Sequence, residues 1–306
     1  MRSEGGRRFA GIGPVASVVA AIMVLWYAAA VPMNAQWTRD QAARAGTEIG
    51  FAEVLAASFN QDRPRLPAPH QVVAELWNST VIEELTGRRG LWNTGTLSNR
   101  SLIYHGWITL SATLMGFAIG TGLGIVLAIG IVHNRAMDQS VMPWAIASQT
   151  VPILAIAPMI IVVLNSVGVT GLLPKAIISA YLSFFPVVVG MVKGLRSPDA
   201  MQMDLLATYN ASEAQTLWKL RLPASVPYLF TSLKVAVAAA LVGTIVGELP
   251  TGAVAGLGAR LLSGSYYGQT VQIWAALFAA AAVAAGLVGL IGWVQRRTLR
   301  RMGMAA

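Results

Sequence analysis

Six stretches of this chain are almost wholly apolar, and polar segments separate them. They run over roughly Val15–Val31, Trp107–Val132, Val141–Leu164, Ala176–Val192, Val226–Gly247 and Val271–Val294. Each approaches or exceeds the ~20 apolar residues that carry a helix across a bilayer core. The pattern predicts an all-α, membrane-embedded chain with about six transmembrane helices. Pro64, Pro67 and Pro69 break the polar stretch before the second run. After them, Val72, Val73, Leu76 and Trp77 recur at helical spacing, which predicts an amphipathic helix lying on the membrane surface.

Composition agrees with lipid as the solvent. The 306 residues are 55% hydrophobic and 11% charged, with mean hydropathy +0.60. Soluble domains carry about 25% charged residues. The net charge of +9 does not indicate nucleic acid, because the cations sit in short flanks of apolar runs rather than on one basic face. There is no cysteine, so disulfides, thiolate metal sites and cysteine nucleophiles are excluded. His70, His105 and His133 are too scattered to form a metal-ligand pair.

Lys and Arg in short loops set orientation. With the N-terminus in the cytoplasm, the cytoplasmic pieces are 1–14, 133–140, 193–225 and 295–306. They hold Arg2, Arg7, Arg8, Arg135, Lys193, Arg196, Lys219, Arg221, Arg296, Arg297, Arg300 and Arg301, which is twelve of the 22 basic residues. The outer loops 165–175 and 248–270 hold only Lys175 and Arg260. The expected organisation is a cytoplasmic N-terminus (1–14), a first span (15–31), an external segment (32–105), a five-helix core (106–294) with a cytoplasmic loop at 193–225, and a basic tail (295–306). Both termini are expected in the cytoplasm. A basic start, an apolar run and small residues near Ala28–Ala35 also fit a cleaved signal peptide. The length of the run and the poor site at Met33-Asn34-Ala35 favour a retained span.

Several residues carry two readings each. Gly116, Gly120 and Gly124 recur every fourth position, as helix packing within one subunit or an interface between subunits requires. Gly286 and Gly289 invite the same pair of readings. Gln149, Thr150 and Asn165 are polar positions in or near the third run, suited to lining a pathway or to bonding neighbouring helices. Glu248 ends the fifth run and is read either as a gate or packing residue or as a solvated helix end. Lys234 lies inside that run at snorkelling distance from the surface. Pro152, Pro158 and Pro186 are candidate bends.

The loop from Met203 to Phe230 reads MDLLATYNASEAQTLWKLRLPASVPYLF. Leu205, Leu206, Tyr209 and Leu217 make an apolar stripe, and Pro223 and Pro227 are expected to end the local helix and restart the chain at the fifth span. This loop resembles that of the permeases of binding-protein-dependent ABC importers, whose pattern is E-A-A-x3-G-x9-I-x-L-P. Aligned on Leu222-Pro223, Asp204 takes the Glu place, Leu205 and Leu206 the two Ala places, Asn210 the Gly place and Leu220 the Ile place. Asn is the residue besides Gly that best tolerates a left-handed backbone, so the turn survives the replacement. LPAPHQVVAELW (66–77), SQTVPILAIAPMIIVV (148–163), LSFFPVVVGMVKGL (182–195), GEL (247–249) and GLGARLL (256–262) are similar to stretches of the nitrate/sulfonate/taurine branch, in order.

The resemblance implies a type I ABC-importer permease fold in the bacterial cytoplasmic (inner) membrane. It implies a second permease copy, two ATPase subunits and an external substrate-binding protein as partners. It also implies that Asp204, Leu205, Leu206, Tyr209, Asn210, Leu220, Leu222 and Pro223 form a coupling helix and its exit, and that Gln149, Thr150 and Glu248 are pathway or gate candidates. No cofactor is expected in the chain itself. Lys175, Lys193, Lys219 and Lys234 all lack the preceding glycine of a P-loop, so ATP and Mg²⁺ belong to a partner. The alternatives are a secondary transporter, which wants inverted repeats and buried acids, and a polytopic membrane enzyme, which wants a convergent polar constellation.

Overall fold

The structure is a computed structural model that describes residues 12–87, 91–96, 98–249 and 255–304. Helices dominate it, and the described residues contain no strand. In chain order the helices are α1 Ile12–Ala45, α2 Phe51–Phe59, α3 Pro69–Trp77, α4 Glu83–Thr86, α5 Leu91–Thr94, α6 Leu102–His133, α7 Arg135–Ser148, α8 Ile153–Ser166, α9 Leu172–Leu195, α10 Ala200–Thr208, α11 Glu213–Thr216, α12 Leu222–Glu248, α13 Leu257–Tyr266 and α14 Thr270–Arg301. Single π turns follow α3 at Asn78–Ile82 and precede α12 at Leu217–Arg221.

Among the described residues, five helices are long and apolar enough to span a membrane: Gly13–Ala45, Leu102–His133, Leu172–Leu195, Glu213–Glu248 and Thr270–Arg301. The remaining expected span, the third, Val141–Leu164, is not one straight rod. It is α7 and α8, bent by 99° across a break of four residues. Pro152 explains the break. It supplies no N–H, and it disfavours helical geometry at Val151 before it. Pro158 and Pro186 stay inside helices.

The chain divides into two compact units. The first comprises residues 1–102 and 260–278. Its α1 has 34 residues, about 50 Å of helix at 1.5 Å per residue against a ~30 Å hydrocarbon core. Its charged end, with Arg39, Asp40 and Arg44, is therefore long enough to project beyond the lipid. Asn34, fully buried, ties that projection to the loop 60–68. Its amide nitrogen donates to the Ser58 and Leu66 carbonyls at 3.0 and 2.8 Å, and its oxygen accepts from the Arg65 and Leu66 N–H groups at 2.9 and 3.2 Å. Every hydrogen-bonding position of the amide is used, the condition under which a buried polar group stabilises rather than costs. Trp26 meets Trp274 at a tilt, with ring centroids 4.9 Å apart, stacks on Phe278 at 5.8 Å and donates its indole N–H to the Pro67 carbonyl at 3.0 Å. Burial pushes the Glu75 carboxyl above the usual carboxylate range, and the Arg260 guanidinium opposes that shift.

The second unit comprises residues 103–259 and 279–306. Its centre is the pair α9 and α12, with a core of Phe184, Val187, Val188, Met191, Leu195 and Ala236 against Ala128, Ile131 and Ala145. Small residues let these helices approach. A Cβ on Gly116 would fall 2.4 Å from the Ser179 Cβ, and one on Gly120 would fall 2.1 Å from the Ser183 Oγ. The four-residue glycine spacing of α6 thus packs α9 within one chain. Gly122, Gly286 and Gly289 face open space.

Candidate functional site

Loop 193–225 folds into a short exposed helix with a defined stop. Asp199 caps α10 by accepting from the Gln202 N–H at 2.8 Å, and Gln202 accepts from the Asp199 N–H at 3.3 Å, a capping box. At the other end Asn210 takes φ 51°, the left-handed region, which no other non-glycine among the described residues adopts. The Asn210 N–H donates to the Ala207 carbonyl at 2.9 Å and the Ala211 N–H to the Leu206 carbonyl at 3.0 Å. These two bonds form a Schellman stop, which glycine or asparagine permits. The backbone at Asn210 thus holds the left-handed conformation that a turn at this place needs.

The chain resumes at Ser212, capped reciprocally with Gln215. From Glu213 it runs as one helical rod to Glu248. This corrects the expectation that Pro223 and Pro227 interrupt the chain. The π turn Leu217–Arg221 ends immediately before Leu222-Pro223, so the residue without an N–H falls where the helical hydrogen-bond ladder is already shifted, and the rod continues past it. Pro227 is carried inside the helix. Leu220, Leu222 and Pro223 are half-buried, and Leu222 packs on the core.

The outward face of α10 is apolar. Met201, Leu205 and Tyr209, spaced by four, are 82%, 56% and 76% exposed, and Trp218 beyond the turn is 70% exposed. Asp204 and Asn210 are exposed beside them, and Leu206 is half-buried. Sequence reasoning named Leu205 and Tyr209 but missed Met201, Trp218 and the caps Asp199 and Ser212. Only the repeated D/S-x-x-Q pattern could have found the caps. The Arg196 guanidinium reaches the Asp138 carboxylate at 2.9 Å, joining this loop to the start of α7.

Glu248 is completely buried, so it is not a solvated helix end. Its carboxylate accepts from the Thr109 hydroxyl at 3.0 Å and the Gly258 N–H at 2.8 Å, and it pairs with the Lys175 ammonium at 3.4 Å. Lys175 also donates to the Ala255 carbonyl at 3.1 Å. The Thr109 hydroxyl accepts from the Leu257 N–H at 2.8 Å, and His105 Nδ1 accepts from the Gly256 N–H at 3.0 Å. A Cβ on Gly256, at φ 131°, would fall 2.2 Å from this carboxylate. Glu248 therefore clamps 255–258 onto α6, α9 and α12. No sequence pattern joins Thr109, Lys175 and Glu248. Gln149 and Thr150 are exposed in the break between α7 and α8, and Asn165 is exposed near the end of α8.

An open apolar groove of about 590 Å³ lies between α9 and α12, lined by Phe185, Pro186, Val189, Tyr228, Thr231 and Ser232 among others. Lys193 also lines it, its ammonium 6.0 Å from the Tyr228 ring centroid.

Comparison with known proteins places these features in context. Residues 120–304 match the family described as "Binding-protein-dependent transport system inner membrane component". A probable ABC transporter permease protein of Haemophilus influenzae is 30% identical over 63% of this chain and 77% of its own length. The formylaminopyrimidine transport permease protein of Halalkalibacterium halodurans is 32% identical over 53% of the chain, and the match spans under two thirds of that relative, 63%. The riboflavin transport system permease protein of Chloroflexus aurantiacus is 29% identical over 77% of the chain and 80% of its own length.

Proposed function

Because this chain belongs to the family of binding-protein-dependent transport system inner membrane components, we propose that it forms the translocation pathway of an importer driven by a separate ATPase. The observation that carries the coupling step is α10, a doubly capped helix whose outward face is Met201, Leu205 and Tyr209. Three apolar side chains four residues apart present one stripe, the arrangement by which a helix seats in a groove of a partner. Asp204 and Asn210 flank it with polar groups that fix orientation. Rigid ends matter as much as the stripe, because a helix that frayed would absorb a partner's movement instead of passing it to α12. The continuous rod from Glu213 to Glu248 gives that movement a path into the membrane.

The reading extends to an assembly of two permease copies, two ATPase subunits and an external binding protein. The groove between α9 and α12 is the part of this chain that would line a pathway shared with a second copy. Its apolar walls with the Tyr228, Thr231 and Ser232 hydroxyls suit a small solute that passes without tight binding, so selectivity rests with the binding protein. Two relatives are named for formylaminopyrimidine and riboflavin transport. In this reading the solute is a small organic or inorganic molecule, and these two names are what favours a small solute.

The test is Leu205→Asp in the reconstituted importer. It removes an apolar anchor and puts an unpaired charge in the docking groove, a loss of about 2 kcal/mol or more, roughly thirtyfold in affinity. The ATPase should no longer co-purify and ATP-driven uptake should fall with it, while membrane insertion is unchanged. Wild-type co-purification and uptake would rule out this helix as the docking element. Leu206→Asp is the weaker probe, since Leu206 is half-buried and its loss disturbs the loop itself.

A further inference from the structure

The last three turns of α14 carry a feature the transport reading leaves unused. Trp293, Arg296, Arg297, Arg300 and Arg301 follow the i, i+3, i+4, i+7, i+8 spacing, which places all five on one helix face. Together they line a cavity of about 380 Å³. The Arg297 guanidinium lies 5.6 Å from the Trp293 ring centroid. No Asp or Glu occurs anywhere after Glu248. Among the described residues, the ion pairs are Lys175–Glu248 and Arg196–Asp138, so none of these arginines has a carboxylate partner.

Two independent observations say what neutralises them. First, Lys234 of α12 reaches toward the same place. A Cβ on Gly292 would lie 3.8 Å from the Arg296 Nη1 and 3.9 Å from the Lys234 Nζ. Two cations that converge on one glycine, with no acid between, mark a place for an anion. Second, the same face of α14 continues into the apolar span as Gly286, Gly289 and Leu290. Nothing comes within 4 Å of either glycine's missing side chain, and Leu290 is exposed. That is an open apolar strip of helix surface that runs into a cluster of guanidinium groups.

We propose that this face binds one anionic phospholipid. The headgroup phosphodiester sits among Arg296, Arg297, Arg300 and Lys234, and an acyl chain lies along Gly286 and Gly289. Planar guanidinium groups match phosphate oxygens two at a time, and Trp293 holds the level of the interface. The assignment uses α14 and Lys234 of α12 and no residue of α10, so it stands or falls separately from the docking of an ATPase.

The experiment is native mass spectrometry of the full-length, detergent-solubilised chain titrated with phosphatidylglycerol or phosphatidylcholine. Phosphatidylglycerol should be retained in preference to phosphatidylcholine, weakening by roughly fivefold for each arginine replaced by glutamine in Arg297→Gln and Arg300→Gln. Gly289→Leu keeps every charge, and with it the insertion signal, and should also weaken retention by obstructing the strip. Equal retention of the two lipids, or wild-type retention by the double arginine variant or by Gly289→Leu, would overturn the proposal. So would displacement by millimolar inorganic phosphate, which would make this a free-anion site.

Discussion

Asn210 and Glu248 show how differently two residues of one chain reveal their roles. Asn210 stands where the family loop pattern has glycine, and its φ of 51° is the physical content of that place. A β-branched side chain there meets the left-handed penalty of about 1–2 kcal/mol. Asn210→Val should lower the unfolding temperature of the purified chain and loosen ATPase co-purification. Asn210→Gly should leave both at or slightly above wild type, which thermal melts in detergent will distinguish. Glu248 is the opposite case. The sequence showed an acid at a helix end but not that Thr109, Lys175 and Gly258 would converge on it, because those partners come from distant segments with no shared pattern. Glu248→Ala leaves the Lys175 ammonium, only 13% exposed, without its counter-charge. Breaking a buried pair in this way costs about 3–5 kcal/mol. Thermal melts should show that loss, and Glu248→Gln should recover part of it by keeping the hydrogen bonds to Thr109 and Gly258.

At the scale of elements, hydropathy located every span but was blind to their breaks. It averages over a window, so Val141 to Leu164 reads as one run although the polar Ser148, Gln149 and Thr150 and then Pro152 divide it. The π turn at Leu217–Arg221 is equally silent, since an added residue in a helix changes no composition. Proline rules applied to Pro223 and Pro227 therefore predicted a break where the rod continues. The glycine repeat of α6 was visible, but its direction was not. Only the contacts with Ser179 and Ser183 assign it to packing inside the chain. Gly120→Leu should cost about 1–3 kcal/mol or more, because the added atoms meet α9 with no room to shift. Gly122→Ala, two residues away and facing open space, should gain or hold stability. Equal melting temperatures for Gly120→Leu and wild type would mean that the α6–α9 seam is looser than described.

For the whole molecule, the strongest sequence signal is the distribution of charge. Arg296, Arg297, Arg300 and Arg301 follow the last span, and Lys193, Arg196, Lys219 and Arg221 flank α10, whereas segment 32–105 balances seven arginines with seven acids. Short flanks rich in Lys and Arg resist translocation, and long segments escape that rule. With α7 and α8 counted as one bent span there are six crossings, an even number, which returns the chain to the side where it began. With the N-terminus in the cytoplasm, the charge rule then gives the expectation that the C-terminus and loop 193–225 lie on the cytoplasmic side and that segment 32–105 lies outside. If α7 and α8 instead formed a re-entrant pair, the crossings would be five and the termini would part. A reporter active only outside the membrane should therefore give signal when inserted near Arg65 and none when fused at the C-terminus. A reporter active only in the cytoplasm should give the reverse. An external signal from the C-terminal fusion would convert α7–α8 from a bent span into a re-entrant hairpin, or place the N-terminus outside. Cysteine-scanning at Gln149 and Thr150 separates those two outcomes, because a re-entrant hairpin exposes its tip to reagents from only the side it entered.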